Sequence, residues 1–125
     1  MKLGQIEQLI PTLSTLKDKE LPLRVAYKIS LLMKAVENDY NFYMEEGKKI
    51  LKEYAQVDSE GKYIIDENGN IPFKEDCVDE AQKKVQELKE IEGTETNLFF
   101  TLDEFDGISL TPAQLQPLLP FIIEE

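Results

Sequence analysis

The chain has no histidine and only one cysteine, Cys77. Without histidine it lacks the most common catalytic base, the most common metal ligand and the usual pH switch of proteins. A single cysteine excludes an internal disulfide bond and a cysteine-based zinc site, and a catalytic thiol needs an activating base. We therefore interpret Cys77 as a small residue near a helix start, and we expect no enzyme activity, no cofactor and no metal centre.

The sequence also lacks long apolar runs and nucleotide-binding motifs. No run of 18 apolar residues is present, so we expect no transmembrane helix, and Met1–Gln5 lacks the hydrophobic core of a signal peptide. There is no glycine-rich phosphate loop and no G-x-S-x-G motif. These features predict a protein of the cytoplasm that does not associate with membranes.

Basic residues are scarce in the second half of the chain. The net charge is −11; residues 1–55 carry nine basic and eight acidic side chains, whereas residues 56–125 carry five and seventeen. A surface of such negative charge repels nucleic acids and anionic membranes and attracts basic partners. We therefore expect no direct binding to nucleic acid and a protein as the partner.

One stretch, Leu23–Tyr54, organises the rest of the chain. Its apolar residues recur every three or four positions, which places their side chains on one face of a helix. No proline interrupts the stretch, and Pro22 directly before it suits a helix start. A helix of this length spans about 48 Å, so part of this rod should project from the domain. The apolar positions are Val25, Ile29, Leu32, Met33, Val36, Tyr40, Tyr43, Met44, Ile50, Leu51 and Tyr54.

Two further helices are predicted beside the rod. An amphipathic pattern over Gln5–Lys17 predicts a short helix with a kink at Pro11, because the residue before a proline avoids the helical region. Apolar spacing over residues 75–92 predicts a second helix, with acidic residues first and lysines later, as the helix dipole favours. Antiparallel packing of this helix on the second half of the rod is the simplest arrangement.

Turn signals predict a small β element between these helices. Asn68-Gly69 tolerates the positive φ of a tight turn, which indicates a hairpin from Tyr63 to Phe73. A lone hairpin is only marginally stable, so we expect it to rest on a helix or to pair with a third strand over Leu98–Leu102. Thr111 and Gln114 have the spacing of a helix-start capping box.

The predicted fold class is therefore mainly α (α+β), in one domain over residues 1–125. The long helix pairs antiparallel with a second helix, and a small hairpin, possibly extended by a third strand, lies between them. Short terminal helices pack on the rod, where Phe121-Ile122-Ile123 should also dock. The parts are a helical region 1–55, a hairpin 62–73, a helix 75–92 and an acidic C-terminal segment 94–125.

Five residues are candidates for partner binding. The acidic side chains of Asp103, Glu104 and Asp106 precede Gly107; they lack the spacing of a calcium loop and are better explained as a polar turn that a basic partner could contact. Tyr40 and Tyr43 belong to an aromatic stretch that is wider than a simple stripe. This stretch is either the main core contact of the rod or the seam of a homo-oligomer that forms through the long helix.

Both ends of the chain resemble a known group of proteins. The sequence Leu3-Gly4-Gln5-Ile6-Glu7-Gln8-Leu9-Ile10-Pro11, followed by Glu20-Leu21-Pro22 and a long charged helix, is similar to short uncharacterised proteins from phages and prophages of Gram-positive bacteria. The ending Phe105-Asp106-Gly107-Ile108-Ser109-Leu110-Thr111-Pro112-Ala113-Gln114-Leu115, with Pro120-Phe121-Ile122, is similar to theirs too. The resemblance implies a phage gene that acts in the infected bacterial cytoplasm or in the virion, and it supplies no catalytic residues.

Three functions agree with these observations. The first is a small non-enzymatic protein-binding module that inhibits a host defence protein by occlusion. The second is a virion structural protein or an assembly chaperone, which self-association of the rod would favour. The third is an acidic nucleic-acid mimic, in which the negative second half of the chain imitates a phosphate array; salt would weaken its binding because exposed charges are screened within about 10 Å.

Overall fold

A computed structural model describes residues 1–123, and its framework is helical, which confirms the prediction of a mainly α fold. The α-helices are α1 (Leu3–Lys17), α2 (Leu23–Tyr54), α3 (Val78–Glu90) and α4 (Pro112–Leu115); 3-10 helices cover Leu102–Phe105 and Gln116–Phe121, and the short strands are β1 (Phe100–Thr101) and β2 (Ile122–Ile123).

Helix α2 is the rod, at the bounds that the apolar pattern predicts. Val25, Ile29, Leu32 and Val36 are buried along one side of it, in steps of four, three and four residues. The helix ends where Ala55 turns to an extended conformation, with its N–H still bonded 2.9 Å from the oxygen of Leu51. The rod is therefore held by its apolar side, and the core lies against its first two thirds.

Helix α1 packs antiparallel on the first part of α2. Glu7, early in α1, lies beside Tyr43, whereas Ser14, late in α1, borders the same groove as Met33, which comes earlier in α2. It starts at Leu3, two residues earlier than predicted, and it continues through Pro11 without a break. Proline removes one backbone hydrogen bond from a helix. Here buried apolar residues before and after it hold the helix together: Leu3, Ile6, Leu9, Leu13 and Leu16.

Helix α3 lies antiparallel to the second half of α2, as predicted. The hydroxyl of Tyr54 donates to Glu80 near the start of α3, at 3.1 Å, and Asp39 reaches the segment just after its end, where it accepts from the N–H of Thr94 at 2.7 Å. The helix covers Val78–Glu90 and not 75–92. Residues 75–77 form a turn instead, in which the N–H of Cys77 donates to the oxygen of Lys74 at 2.9 Å, and Lys74 itself is paired with Tyr54.

The predicted hairpin from Tyr63 to Phe73 is wrong in its pairing. The segment 54–58, directly after α2, pairs first with residues 62–64 and then with residues 72–74, and the loop 65–71 stands out between them. Backbone bonds join Asp58 N to Lys62 O at 2.8 Å and Gln56 N to Pro72 O at 2.9 Å. Residues 54–58, at the end of the rod, thus pair with both of the segments that were predicted to pair with each other. We call residues 55–74 the β-arm.

The C-terminal segment packs on α1 through its last helices and also reaches the rod, where Lys28 contacts Glu104 and Phe99. The predicted third strand over Leu98–Leu102 is reduced to β1, which pairs in parallel with β2, with Phe100 opposite Ile122, and does not join the β-arm. Phe121 is buried, and the hydroxyl of Thr12 on α1 donates to the oxygen of Gln114 at 2.7 Å. Of the predicted acidic segment 94–125, the last two residues lie outside the described part of the chain.

Candidate protein-binding surfaces

The predicted acidic cluster divides into one inward and two outward residues. Glu104 lies in the 3-10 helix that follows β1, and its carboxylate accepts the backbone N–H of Thr101 at 2.9 Å. Both of its oxygens also lie 2.8 Å from the ammonium of Lys28 on α2. Asp103 and Asp106 are exposed. Glu104 therefore serves the fold, and only its two acidic neighbours face solvent.

Lys28 joins the rod to the acidic segment electrostatically. Its ammonium donates to the oxygen of Phe99 at 3.0 Å and lies 5.5 Å from the ring centre of Phe100, in addition to the ion pair with Glu104. The hydrogen bond from Lys28, followed by that from the N–H of Thr101, lowers the pKa of Glu104 below its ordinary value. Part of the negative charge of the second half is thus balanced by the first half.

The two candidate tyrosines face inward. Tyr43 is buried against α1, and burial together with the neighbouring Glu7 raises the pKa of its phenol. Tyr40 is half-buried and lines a groove of about 390 Å³ between α1 and α2, beside Ile10 and Met33. Of the two roles considered for this stretch, Tyr43 fulfils that of a core contact. The exposed apolar side chains nearby are those of Phe42 and Met44.

An uncovered apolar stripe lies on the first half of α2. Leu23, Tyr27 and Leu31 follow one another at steps of four residues and are exposed to 87%, 64% and 40%. At about 100° per residue they lie on the side of α2 that is turned away from Val25 and Ile29. The spacing was visible in the sequence, but the buried stripe of the same helix fitted the pattern of a core better.

A groove of about 590 Å³ runs between the second half of α2 and α3. Its apolar lining comes from Phe42, Ile50, Leu88 and Ile91, and its rim is charged. Within the rim, Lys49 is paired with Glu46 at 2.9 Å. The groove therefore combines an apolar floor with a rim of mixed charge, a surface suited to contact with another protein.

The β-arm contains the longest run of exposed residues in the described part of the chain. All fourteen residues from Val57 to Asn70 are exposed. Four large apolar side chains within this stretch are 38–67% exposed, and Ile65 is the most exposed of them. A hairpin resting on a helix, as the sequence predicts, would cover these side chains, so nothing in the sequence marks them as binding residues; the four are Val57, Tyr63, Ile64 and Ile65.

Two local turns hold the β-arm in shape. The carboxylate of Asp58 accepts the N–H groups of Glu60 and Lys62 at 2.8 and 3.0 Å. The carboxylate of Asp66 accepts those of Asn68 and Asn70, each at 2.9 Å. Aspartate side chains that bond their own backbone in this way are typical of ordered turns. Gly61 and Gly69 provide the positive φ that these turns require, at 81° and 79°.

Three further properties of the described chain concern its single thiol, metal ligands and membrane-spanning helices. Burial and the neighbouring Asp76 raise the pKa of the Cys77 thiol, which makes it a weaker nucleophile at neutral pH. Within residues 1–123, no three acidic or thiol side chains converge on a point where a metal ion could bind. No helix in the same range is both long and apolar enough to cross a bilayer.

Comparisons of the chain with protein-family models, with curated proteins and with solved structures found no match.

Proposed function

We propose that this protein is a non-enzymatic binding module that recognises another protein through the β-arm. The observation that carries the proposal is the set of four uncovered apolar side chains on an arm whose turns are ordered by hydrogen bonds. Complete burial of a fully exposed apolar side chain contributes about 1.5–3 kcal/mol, and these four are 38–67% exposed, so a partner that covers them gains about half of that from each. Because the arm is already shaped, little conformational entropy is lost when a partner covers it.

The resemblance of both chain ends to short phage proteins supports a partner inside an infected bacterium. A host defence protein is the class we propose, and occlusion of its active surface is the mode of action. The shape agrees with this mode, since the arm follows directly on the end of a helix about 48 Å long and lies away from the core. The excess of negative charge in the second half favours a partner with a basic surface.

The proposal is tested by affinity capture from a Gram-positive bacterial lysate, followed by mass spectrometry. The variant Tyr63→Ser with Ile65→Ser removes two uncovered side chains of the β-arm. The variant Leu119→Ser is the matched control, because Leu119 is a similarly exposed apolar residue in the C-terminal region. We expect the wild type and the control to capture the same protein and the arm variant to recover at least ten times less of it.

The arm variant should keep the helical circular dichroism of the wild type, since both substituted side chains are exposed. Equal capture by all three proteins, or no specific capture by the wild type, would contradict the proposal.

A second function, an assembly protein of the virion, is favoured by the stripe of Leu23, Tyr27 and Leu31. Such a stripe is a seam through which copies of the rod could associate. Under this function, light scattering during size-exclusion chromatography should show an oligomer that the substitution Tyr27→Lys converts to a monomer. A wild type that stays monomeric at high concentration rules it out.

A further inference from the structure

The β-arm has a strand edge whose backbone groups have no partner in the described chain. On the inner side, the N–H of Ile64 donates to Gln56 O at 3.1 Å and the oxygen of Lys62 accepts from Asp58 N at 2.8 Å. Backbone groups alternate in direction along a strand, so those of Tyr63, which lies between these two bonds, face the opposite edge, and Ile65 follows at the start of the loop. Within residues 1–123 they make no hydrogen bond. This outer edge is open.

We infer that the outer edge of Tyr63–Ile65 takes up an extended, basic segment of the partner protein as an additional strand. The inference rests on the proposed function and specifies how the β-arm recognises its partner. Free N–H and C=O groups at a sheet edge are a template for another strand. In recognition by strand addition, main-chain hydrogen bonds supply affinity and alternate side chains supply selectivity.

The edge is preformed at both ends. The turn from Asp58 to Gly61 fixes its start, and the turn that Asp66 caps fixes its end. Proteins commonly block an exposed edge with proline or lysine; residues 63–65 contain neither, and Lys62 directly precedes them. Side chains alternate across the strand, so Tyr63 and Ile65 offer apolar contacts on one face and Ile64 on the other.

Charge determines the class of occupant. Residues 57–70 carry four acidic side chains and one basic side chain, which gives a net charge of −3. A second copy of the arm would bring the same charge and be repelled. A segment that alternates apolar residues with lysine or arginine complements both the apolar side chains of the edge and its negative charge. The acidic side chains are Asp58, Glu60, Asp66 and Glu67, and the basic one is Lys62.

The test uses a blocked heptapeptide of alternating lysine and valine, titrated into the ¹⁵N-labelled full chain. We expect saturable shifts of the amide signals of Tyr63 and Ile65. Two further peptides carry N-methyl groups on all valines or on all lysines. Since only one alternate set of peptide N–H groups faces the edge, one of these two should lose at least ten-fold in affinity and the other should bind nearly as the parent does.

Charge is tested in the same titration. A peptide with glutamate in place of lysine should not bind. The variant Glu60→Gln with Glu67→Gln should weaken binding of the lysine peptide several-fold, and Glu20→Gln, an exposed residue before the start of α2, should leave it unchanged. The inference is overturned if the lysine peptide shows no binding at millimolar concentration, if both N-methylated peptides bind as the parent does, or if the glutamate peptide binds equally well.

These outcomes are separable from failure of the proposed function. If the peptides fail while the Tyr63→Ser, Ile65→Ser variant still loses its captured protein, strand addition is wrong and the β-arm remains the binding surface. If capture does not depend on the β-arm, the proposed function is wrong whatever the peptides do.

Discussion

The ion pair between Lys28 and Glu104 is the contact by which the rod holds the acidic C-terminal segment. We predict that Glu104→Gln, Lys28→Met and their combination lower the free energy of unfolding by unequal amounts. The glutamine keeps an oxygen for the N–H of Thr101 and removes only the charge. The methionine leaves the Glu104 carboxylate without its partner in a site where the side chain is only 17% exposed.

The magnitude follows from the degree of burial. Hydrogen bonds to charged groups contribute about 1.5–3 kcal/mol when they are shielded from water, and exposed ion pairs contribute about 0.2–1 kcal/mol. The Lys28 and Glu104 side chains are 24% and 17% exposed, which lies between these cases. We expect Glu104→Gln to cost about 1.5 kcal/mol. We expect Lys28→Met to cost about 2 kcal/mol or more, since this substitution leaves the partly buried charge of Glu104 unpaired. The double variant should lose about 1–2 kcal/mol less stability than the sum of the two single variants, and this difference is the coupling energy of the pair.

Urea denaturation at pH 7 measures these differences, with unchanged m-values as the sign that the unfolded state is the same. The pH dependence is a second check. The folded pKa of Glu104 lies below its ordinary value, so its stabilising contribution is complete above the unfolded pKa of about 4.3 and is lost as the pH falls through the folded pKa. The deficit of Glu104→Gln relative to the wild type should therefore shrink as the medium is acidified.

The reasoning is refuted if the double-variant coupling is below about 0.5 kcal/mol, the range of an exposed pair. A deficit of Glu104→Gln that stays constant from pH 7 down to acid unfolding would refute it as well, because the lost contribution would then not be electrostatic.

The remaining predictions concern two glycines that the sequence alone does not distinguish. Gly47→Ala should raise the free energy of unfolding by about 0.5–1 kcal/mol, since the site is inside α2 and an added Cβ meets no atom within 4 Å. Gly93→Ala should lower it by about 1–3 kcal/mol, because the Cβ would lie 2.7 Å from the Asp39 carboxylate and 3.1 Å from the oxygen of Met1. Thermal and urea unfolding of both variants check the two signs; equal effects would contradict them.

The helices whose bounds are marked by residues close together in the sequence were predictable. The bounds of α2 follow from apolar spacing and the absence of proline between Pro22 and Pro72. The capping box of α4 also formed as predicted, with Gln114 N bonded to the Thr111 hydroxyl at 3.2 Å and Thr111 N to the Gln114 amide oxygen at 2.9 Å. These features depend on residues three or four positions apart, which the chain itself brings together.

Strand pairing, and whether a side chain points inward or toward solvent, were not predictable, because they depend on residues far apart in the sequence. The turn at Asn68-Gly69 is present, yet it joins no hairpin, because segment 54–58 at the end of the rod competes for the same backbone groups. Asp103 and Glu104 are neighbours of one chemical type, and only the position of Lys28, seventy-six residues away from Glu104, turns one of them inward. The apolar stripe of Leu23, Tyr27 and Leu31 is similarly indistinguishable from a core stripe until the packing is known.

Composition and short-range periodicity are enough to predict the helical class, the extent of the rod and the excess of negative charge in the second half. The tertiary structure alone decided which surfaces stay open. A side chain is covered or exposed according to what the rest of the chain brings to it, and the residues near the β-arm in sequence do not show that Tyr63, Ile64 and Ile65 stay 44%, 38% and 67% exposed. The candidate binding site of this protein is therefore a property of its packing, although the residues that form it are adjacent in the chain.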